Sequence, residues 1–283
     1  MAATTPTREL RMPTPRGDVG ALLQLPDDAE WLYVFSHGAG APMRHAFMTD
    51  LSARLADRGI ATLRFNFPYA DKPGGRGAPD PQPVLVETVR QAVALAAQVA
   101  PGLPLAAGGK SMGGRMTSMA HAESPLPGVL ALIYVGFPLH PAGGEIKKRA
   151  DHLPKIESPQ LFLTGTRDSL CLLDRLHPVL GTCQQPTLRL IDDADHGFHV
   201  RKSSGRDDDA VLDELADTMK AWFADVMASQ AGPGKPAAKK QKKAPTSKAA
   251  RTSKASPAGK KKKTPKSPTS PTKAKKKAKK KSS

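Results

Sequence analysis

Residues 106–116 read AAGGKSMGGRM, and two incompatible local architectures share one lysine and one serine within them. Taken as G-K-S, residues 109–111 close a phosphate-binding loop. Taken as G-K-S-M-G, residues 109–113 form the G-x-S-x-G turn that exposes a serine between a strand and a helix. The first reading needs a glycine five residues before Gly109, in the loop whose backbone N–H groups cradle a phosphate. That position is Pro104, which has a fixed φ and no N–H to offer. The apolar run LPLAAG (103–108) also fills the span of the cradle and reads as a strand, while MGGRMTSMAHAE after Ser111 reads as a helix start. The serine turn survives.

Similar runs lie on either side. WLYVFS (31–36), ATLRFNF (61–67), VLALIYVG (129–136), QLFLTG (160–165) and TLRLID (187–192) are short and β-rich, several of them continuously apolar, as strands covered on both faces should be. Segments near 8–12 and 19–25 are candidates for edge strands. Helix-length segments alternate with the runs. Residues 44–58 place Phe47, Met48, Leu51 and Leu55 on one face, and residues 84–100 direct Val84, Val89, Val93, Leu95 and Ala96 to a core. A third helix is expected over about 169–180. Residues 208–228 space Val211, Leu212, Leu215, Met219, Trp222, Phe223 and Val226 helically, behind an Asp207-Asp208-Asp209 cluster suited to a helix start. This alternation predicts an α/β fold, with a mostly parallel sheet and helices on both faces.

Three strand ends then carry chemistry. FSHGAGAP (35–42) follows an early strand, and its glycines let backbone N–H groups turn inward to form half of an oxyanion hole. Ala39 is the expected donor, Gly38 and Gly40 the neighbouring alternatives, and the Met112 N–H the other half. LFLTGTRDSL offers Asp168 just after a strand, and LRLIDDADHGF offers His196 after the last one. Ser111, Asp168 and His196 therefore all emerge at carboxyl ends of strands, where sites form in open α/β sheets. Their types suit a nucleophile, an orienting acid and a general base, in the chain order of an α/β-hydrolase.

Other titratable residues have a plainer reading. Asp193 and Asp195 read as loop-shaping carboxylates, His37 as structural, and His140 as a residue that could border the site. Lys110 and Arg115 read as helix-surface or packing residues that could favour an anionic substrate. Cys171 and Cys183 read as packing, and two cysteines are too few for a disulfide framework. No His/Cys/Asp cluster has metal-ligand spacing, so neither metal nor cofactor is expected.

Charge divides the chain. Residues 231–283 hold 20 of its 43 basic residues and none of its 26 acidic ones, so residues 1–230 carry a net charge of −3. The Lys/Ala/Pro-rich composition predicts a disordered tail. Runs such as KAKKKAKKK (273–281) and a linker-histone-like SPTK (270–273) predict non-specific attraction of residues 232–283 to nucleic acid or another polyanion. Without an aromatic residue past Phe223, base stacking is not expected. The start of the chain lacks a signal-peptide pattern and no run is long enough for a membrane span. The expected setting is therefore cytoplasmic, with nucleoid or nuclear association through the tail.

Together SHGAGAPMRHAFM, RFNFPY, GGKSMGGRM, PLHPAG, LFLTGTRD and DADHGF resemble an α/β-hydrolase family that includes a testis-expressed protein and a subunit of the nuclear NSL acetyltransferase complex. That family is related to dienelactone-hydrolase-like serine hydrolases. The resemblance covers about residues 18–228 and implies the α/β-hydrolase fold, with Ser111, Asp168 and His196 at the triad positions. The expected organisation is an N-terminal extension (1–17), a hydrolase domain (18–230) and the tail (231–283). Only 22 residues separate the strand at 129–136 from Pro159, too few for a large cap domain. The site is thus expected to be open, or covered by the Pro/Gly-rich connection 68–83. The expected function is serine hydrolysis of a small-molecule acyl substrate, with a non-catalytic scaffold tethered by its tail as the alternative.

Overall fold

A computed structural model describes residues 5–72, 77–141 and 149–231. The proposed tail, residues 73–76 of the Pro/Gly-rich connection and part of PLHPAG lie outside the described residues. Eight strands form one sheet: β1 (Thr7–Met12), β2 (Val19–Gln24), β3 (Trp31–Ser36), β4 (Ile60–Phe65), β5 (Leu105–Lys110), β6 (Val129–Val135), β7 (Gln160–Gly165) and β8 (Pro186–Ile191). Their order is β1-β2-β4-β3-β5-β6-β7-β8. The first two strands run antiparallel to their neighbours; β1 is an edge strand as the sequence suggested, whereas β2 lies between β1 and β4, and the other six strands are parallel. This is the α/β-hydrolase fold, with no large cap among the described residues.

Strand alternation sorts the core into two layers. Trp31, Tyr33 and Phe35 of β3 face α1 (Ala46–Ala56) and the C-terminal α6 (Asp208–Ala231), where Trp31 stacks on Phe223 at 4.4 Å. Leu32 and Val34 face the opposite layer, which contains α2 (Pro68–Asp71), α3 (Gln82–Val99), α4 (Met112–Glu123) and α5 (Leu173–Leu180). The α6 start behaves as its acids suggest: Asp207 caps it by accepting the Ala210 N–H, and Asp208 and Asp209 occupy the positive end of the helix dipole. Arg54 of α1 and Arg58 just beyond its end tie this segment to α6 through ion pairs to Asp209, Asp213 and Asp217.

Several sequence expectations need correction. β5 runs on to Lys110, so that residue closes a strand and is not on a helix surface. The helix after Asp168 begins only at Leu173, leaving a loop free to shape the Asp168 turn. In α3 the buried face is rotated: Leu85, Val86 and Ala92 are buried with Val89, Val93 and Ala96, while Val84 and Leu95 are half-buried. The first part of 68–83 forms α2 and packs behind residues 38–39. None of the described residues of that connection lines the cavity beside Ser111. Among the described residues, no helix is long and apolar enough to cross a membrane.

The order places the crevice. From β3 the chain passes to β4 on one side, and from β5 it continues to β6 on the other. The carboxyl ends of β3 and β5 therefore flank the point where strand order reverses. Residues 37–41 and Ser111 leave the sheet there.

Candidate active site

Ser111 lies between β5 and α4 with φ +50° and ψ −117°, outside the regions an L-residue ordinarily adopts. The backbone is held there from both sides, since the Ser111 N–H donates to the Val135 carbonyl at 3.0 Å and its carbonyl accepts from Arg115. The turn also presses against the loop after β3. A Cβ on Gly113 would lie 2.5 Å from the Ser36 carbonyl oxygen and 2.6 Å from that of His37. The glycines around Ser111 are thus required by close backbone approach.

The structure brings Ser111, Asp168 and His196 together. Ser111 Oγ is 2.9 Å from His196 Nε2, and His196 Nδ1 is 2.8 Å and 3.0 Å from the two Asp168 carboxylate oxygens. A carboxylate only accepts, so Nδ1 donates and Nε2 is left to take the serine proton. Asp168 is buried, and its Oδ1 also accepts the Leu170 N–H at 2.8 Å, which fixes the carboxylate plane. Arg167 binds the Asp193 carbonyl at 2.8 Å, and Asp193 is gripped by Arg201, whose guanidinium holds the carboxyl below the usual range. These contacts lock the Asp168 loop to the His196 loop. Asp195 Oδ1 accepts the N–H groups of Gly197 and His199, shaping the turn after His196. Both acids therefore act as loop formers.

Ala39 lies in a turn closed by the Ala41 N–H and the Gly38 carbonyl, which leaves its own N–H outside the turn hydrogen bond. Tyr69, which the sequence reading missed, donates its hydroxyl to the Ala39 carbonyl at 2.8 Å and braces this turn. Its only prior signal was its place in RFNFPY. Met112 is the first residue of α4, where N–H groups have no partner within the helix. His140 braces the loop beyond Asp168, donating to the Pro141 carbonyl and accepting the Leu172 N–H. Cys171 is buried, and burial pushes its thiol up to about 12, which denies it a thiolate at neutral pH.

His37 is buried under the same turn. Nδ1 donates to the Gly38 carbonyl at 2.7 Å and Nε2 accepts the Phe67 N–H at 3.0 Å, so both nitrogens are matched only in the neutral ring. Burial lowers its pKa to about 4. The unfolded chain takes up this proton below about pH 6.5 and the folded chain only near 4, so stability falls as pH drops through that window. His37 alone is expected to cost about 2 kcal/mol between pH 7 and 5. Urea unfolding at the two pH values should show this loss, and His37→Asn should reduce it; an unchanged pH dependence would contradict the assignment.

A cavity of about 530 Å³ opens beside Ser111. Its walls come from residues 38–41, the start of α1, Leu170, residues 196–199 and the start of α6. Phe47 stacks on Phe198 at 5.8 Å within it, and Phe198 shares a positive φ with Ser111.

Comparison with known proteins agrees with this architecture. Residues 29–224 match the family described as "Alpha/beta hydrolase domain". Among solved structures, a dienelactone hydrolase from Anabaena variabilis is 21% identical with a TM-score of 0.63, over 79% of this chain and 99% of that one. A Xanthomonas campestris protein described as an a/b serine hydrolase without lid is 20% identical with a TM-score of 0.59, covering 77% and 95% of the two chains. The esterase domain of a Rhodothermus marinus protein is 19% identical with a TM-score of 0.58, covering 77% and 97%. At these identities the likeness is one of fold.

Proposed function

The chain belongs to the alpha/beta hydrolase domain family, and on that premise we propose that it is an intracellular serine hydrolase cleaving an ester, thioester or related acyl bond. The observation that carries the reading is the unbroken hydrogen-bonded path from Ser111 Oγ through His196 to buried Asp168, beside a cavity. His196 Nε2 takes the Ser111 proton as Oγ attacks the acyl carbon, and Asp168 stabilises the imidazolium. The Ala39 and Met112 N–H groups receive the oxyanion. Such donors typically contribute ~3–4 kcal/mol each. His196 then protonates the leaving group, and water releases the acyl chain by the reverse roles. Within the family, GGKSMGGR, GTRD and ADH support a place beside the testis-expressed and NSL-subunit group.

The direct test is hydrolysis of short-chain 4-nitrophenyl esters. Wild type is expected to release nitrophenolate with an acyl-enzyme burst, which Ser111→Ala lacks. No turnover by folded wild type, or turnover that survives Ser111→Ala, contradicts the reading. Residues 18–230 form the catalytic domain in this proposal, and residues 232–283 bind polyanions through charge alone. Deleting 232–283 should abolish salt-sensitive binding to duplex DNA; binding retained by the remaining chain would overturn that role.

A further inference from the structure

Lys110 is the residue the sequence explained least. It closes β5, is only 8% exposed, and lines the cavity together with Ser111. Its Nζ donates to the His196 carbonyl at 2.6 Å and lies 5.7 Å from the centre of the Phe47 ring and 5.2 Å from that of Phe198. Among the described residues, no carboxylate forms an ion pair with it. Asp168 and Asp195 favour its charge through space, but Asp168 is committed to His196 and Leu170, and the Asp195 Oδ1 to Gly197 and His199. Burial lowers its pKa to about 8, so it is still charged at neutral pH.

A buried ammonium without a direct counter-ion is unfavourable unless something else neutralises it. One of its three donors is used by a neutral carbonyl, two aromatic faces flank the ammonium without supplying a counter-charge, and the residue lines a cavity with room for an acceptor. The other walls restrict what that acceptor can be. Phe47, Met48, Leu170, Phe198 and Leu212 suit an apolar chain.

We infer that Lys110 is a specificity-determining cation, and that the acyl group selected by this cavity carries its own carboxylate, as in hemi-esters of short dicarboxylic acids. The inference rests on Ser111 being the nucleophile. In the reaction, a Ser111 Oγ–acyl bond forms as the ester C–O bond breaks. The alcohol leaves with the proton held by His196, and water then frees the dicarboxylic acid and restores Ser111. Throughout, the distal carboxylate stays paired with Lys110.

The test compares kcat/KM for mono-4-nitrophenyl adipate and 4-nitrophenyl hexanoate, using the full chain. Wild type is expected to favour the adipate by about tenfold or more, an order typical of a charge-assisted pair. Lys110→Met and Lys110→Gln should each remove that preference, and Lys110→Arg should retain most of it. The ratio is the readout because Lys110 also braces the His196 backbone, a loss that lowers both esters alike; Gln keeps a donor for that brace. A wild type without the preference, or a ratio unchanged in both neutral variants, overturns the inference. A second arm needs no turnover: monomethyl adipate is titrated calorimetrically into Ser111→Ala with and without Lys110→Gln. A tenfold loss of affinity is expected, and equal affinity overturns the subsite. Lys110-dependent binding in a protein that cleaves neither ester would support the subsite and reject the nucleophile.

Discussion

Replacing His196 by alanine is expected to lower turnover of an activated ester by about 10⁴–10⁶-fold, the scale on which serine triads fail when the base is removed. His37, His140 and Lys110 are not placed to take over. Both ring nitrogens of His37 and His140 are held in hydrogen bonds elsewhere, and Lys110 Nζ donates to the His196 carbonyl rather than accepting from Ser111. Asp168→Asn should cost about 10⁴-fold with the geometry preserved, because an amide can donate to Nδ1 and so favour the tautomer whose Nε2 already carries a proton. The kcat on 4-nitrophenyl acetate, with circular dichroism to show that each variant is folded, measures both. Activity of His196→Ala within tenfold of wild type would remove His196 from the mechanism.

A large effect on stability is expected at Gly113. Its added methyl would meet two backbone oxygens, those of Ser36 and His37, at 2.5 Å and 2.6 Å, and neither can rotate away as a side chain could. Relief requires α4 to move off the β3 end, which disturbs Ser111 and the Ala39 turn together. Gly113→Ala is expected to destabilise by about 3 kcal/mol or more. For a domain of this size that lowers Tm by roughly 6–12 °C. Gly40→Ala is the control for stability, since a Cβ there meets nothing within 4 Å. Thermal unfolding of the two variants decides it: equal Tm values would mean that the tight approach of α4 to residues 36–37 does not constrain the turn.

What could be read in advance followed from local chemistry. WLYVFS and VLALIYVG are buried on both faces and looked so, because a strand inside a doubly covered sheet has no polar side to show. The Ser111 turn and the loops after β7 and β8 were legible because backbone geometry there demands particular residues. The phase of α3 was not: its apolar residues are spread widely enough that several faces look buried, and contact with β3 and α4 chose among them. The helix-surface reading of Lys110 failed for a related reason. The residues that bury it, Phe47 and Phe198, lie 63 positions before it and 88 after it, and only the fold brings them to one place. The walls of the cavity likewise come in part from the starts of α1 and α6, and none of the described residues of the conspicuous Pro/Gly-rich connection is among them.

The measurement closest to the central claim is covalent labelling by a fluorophosphonate, with the modified residue located by peptide mass spectrometry. Folded wild type is expected to be labelled once, on Ser111, and Ser111→Ala not at all. Labelling on another residue, labelling that persists in Ser111→Ala, or a folded wild type that does not react would contradict Ser111 as the nucleophile.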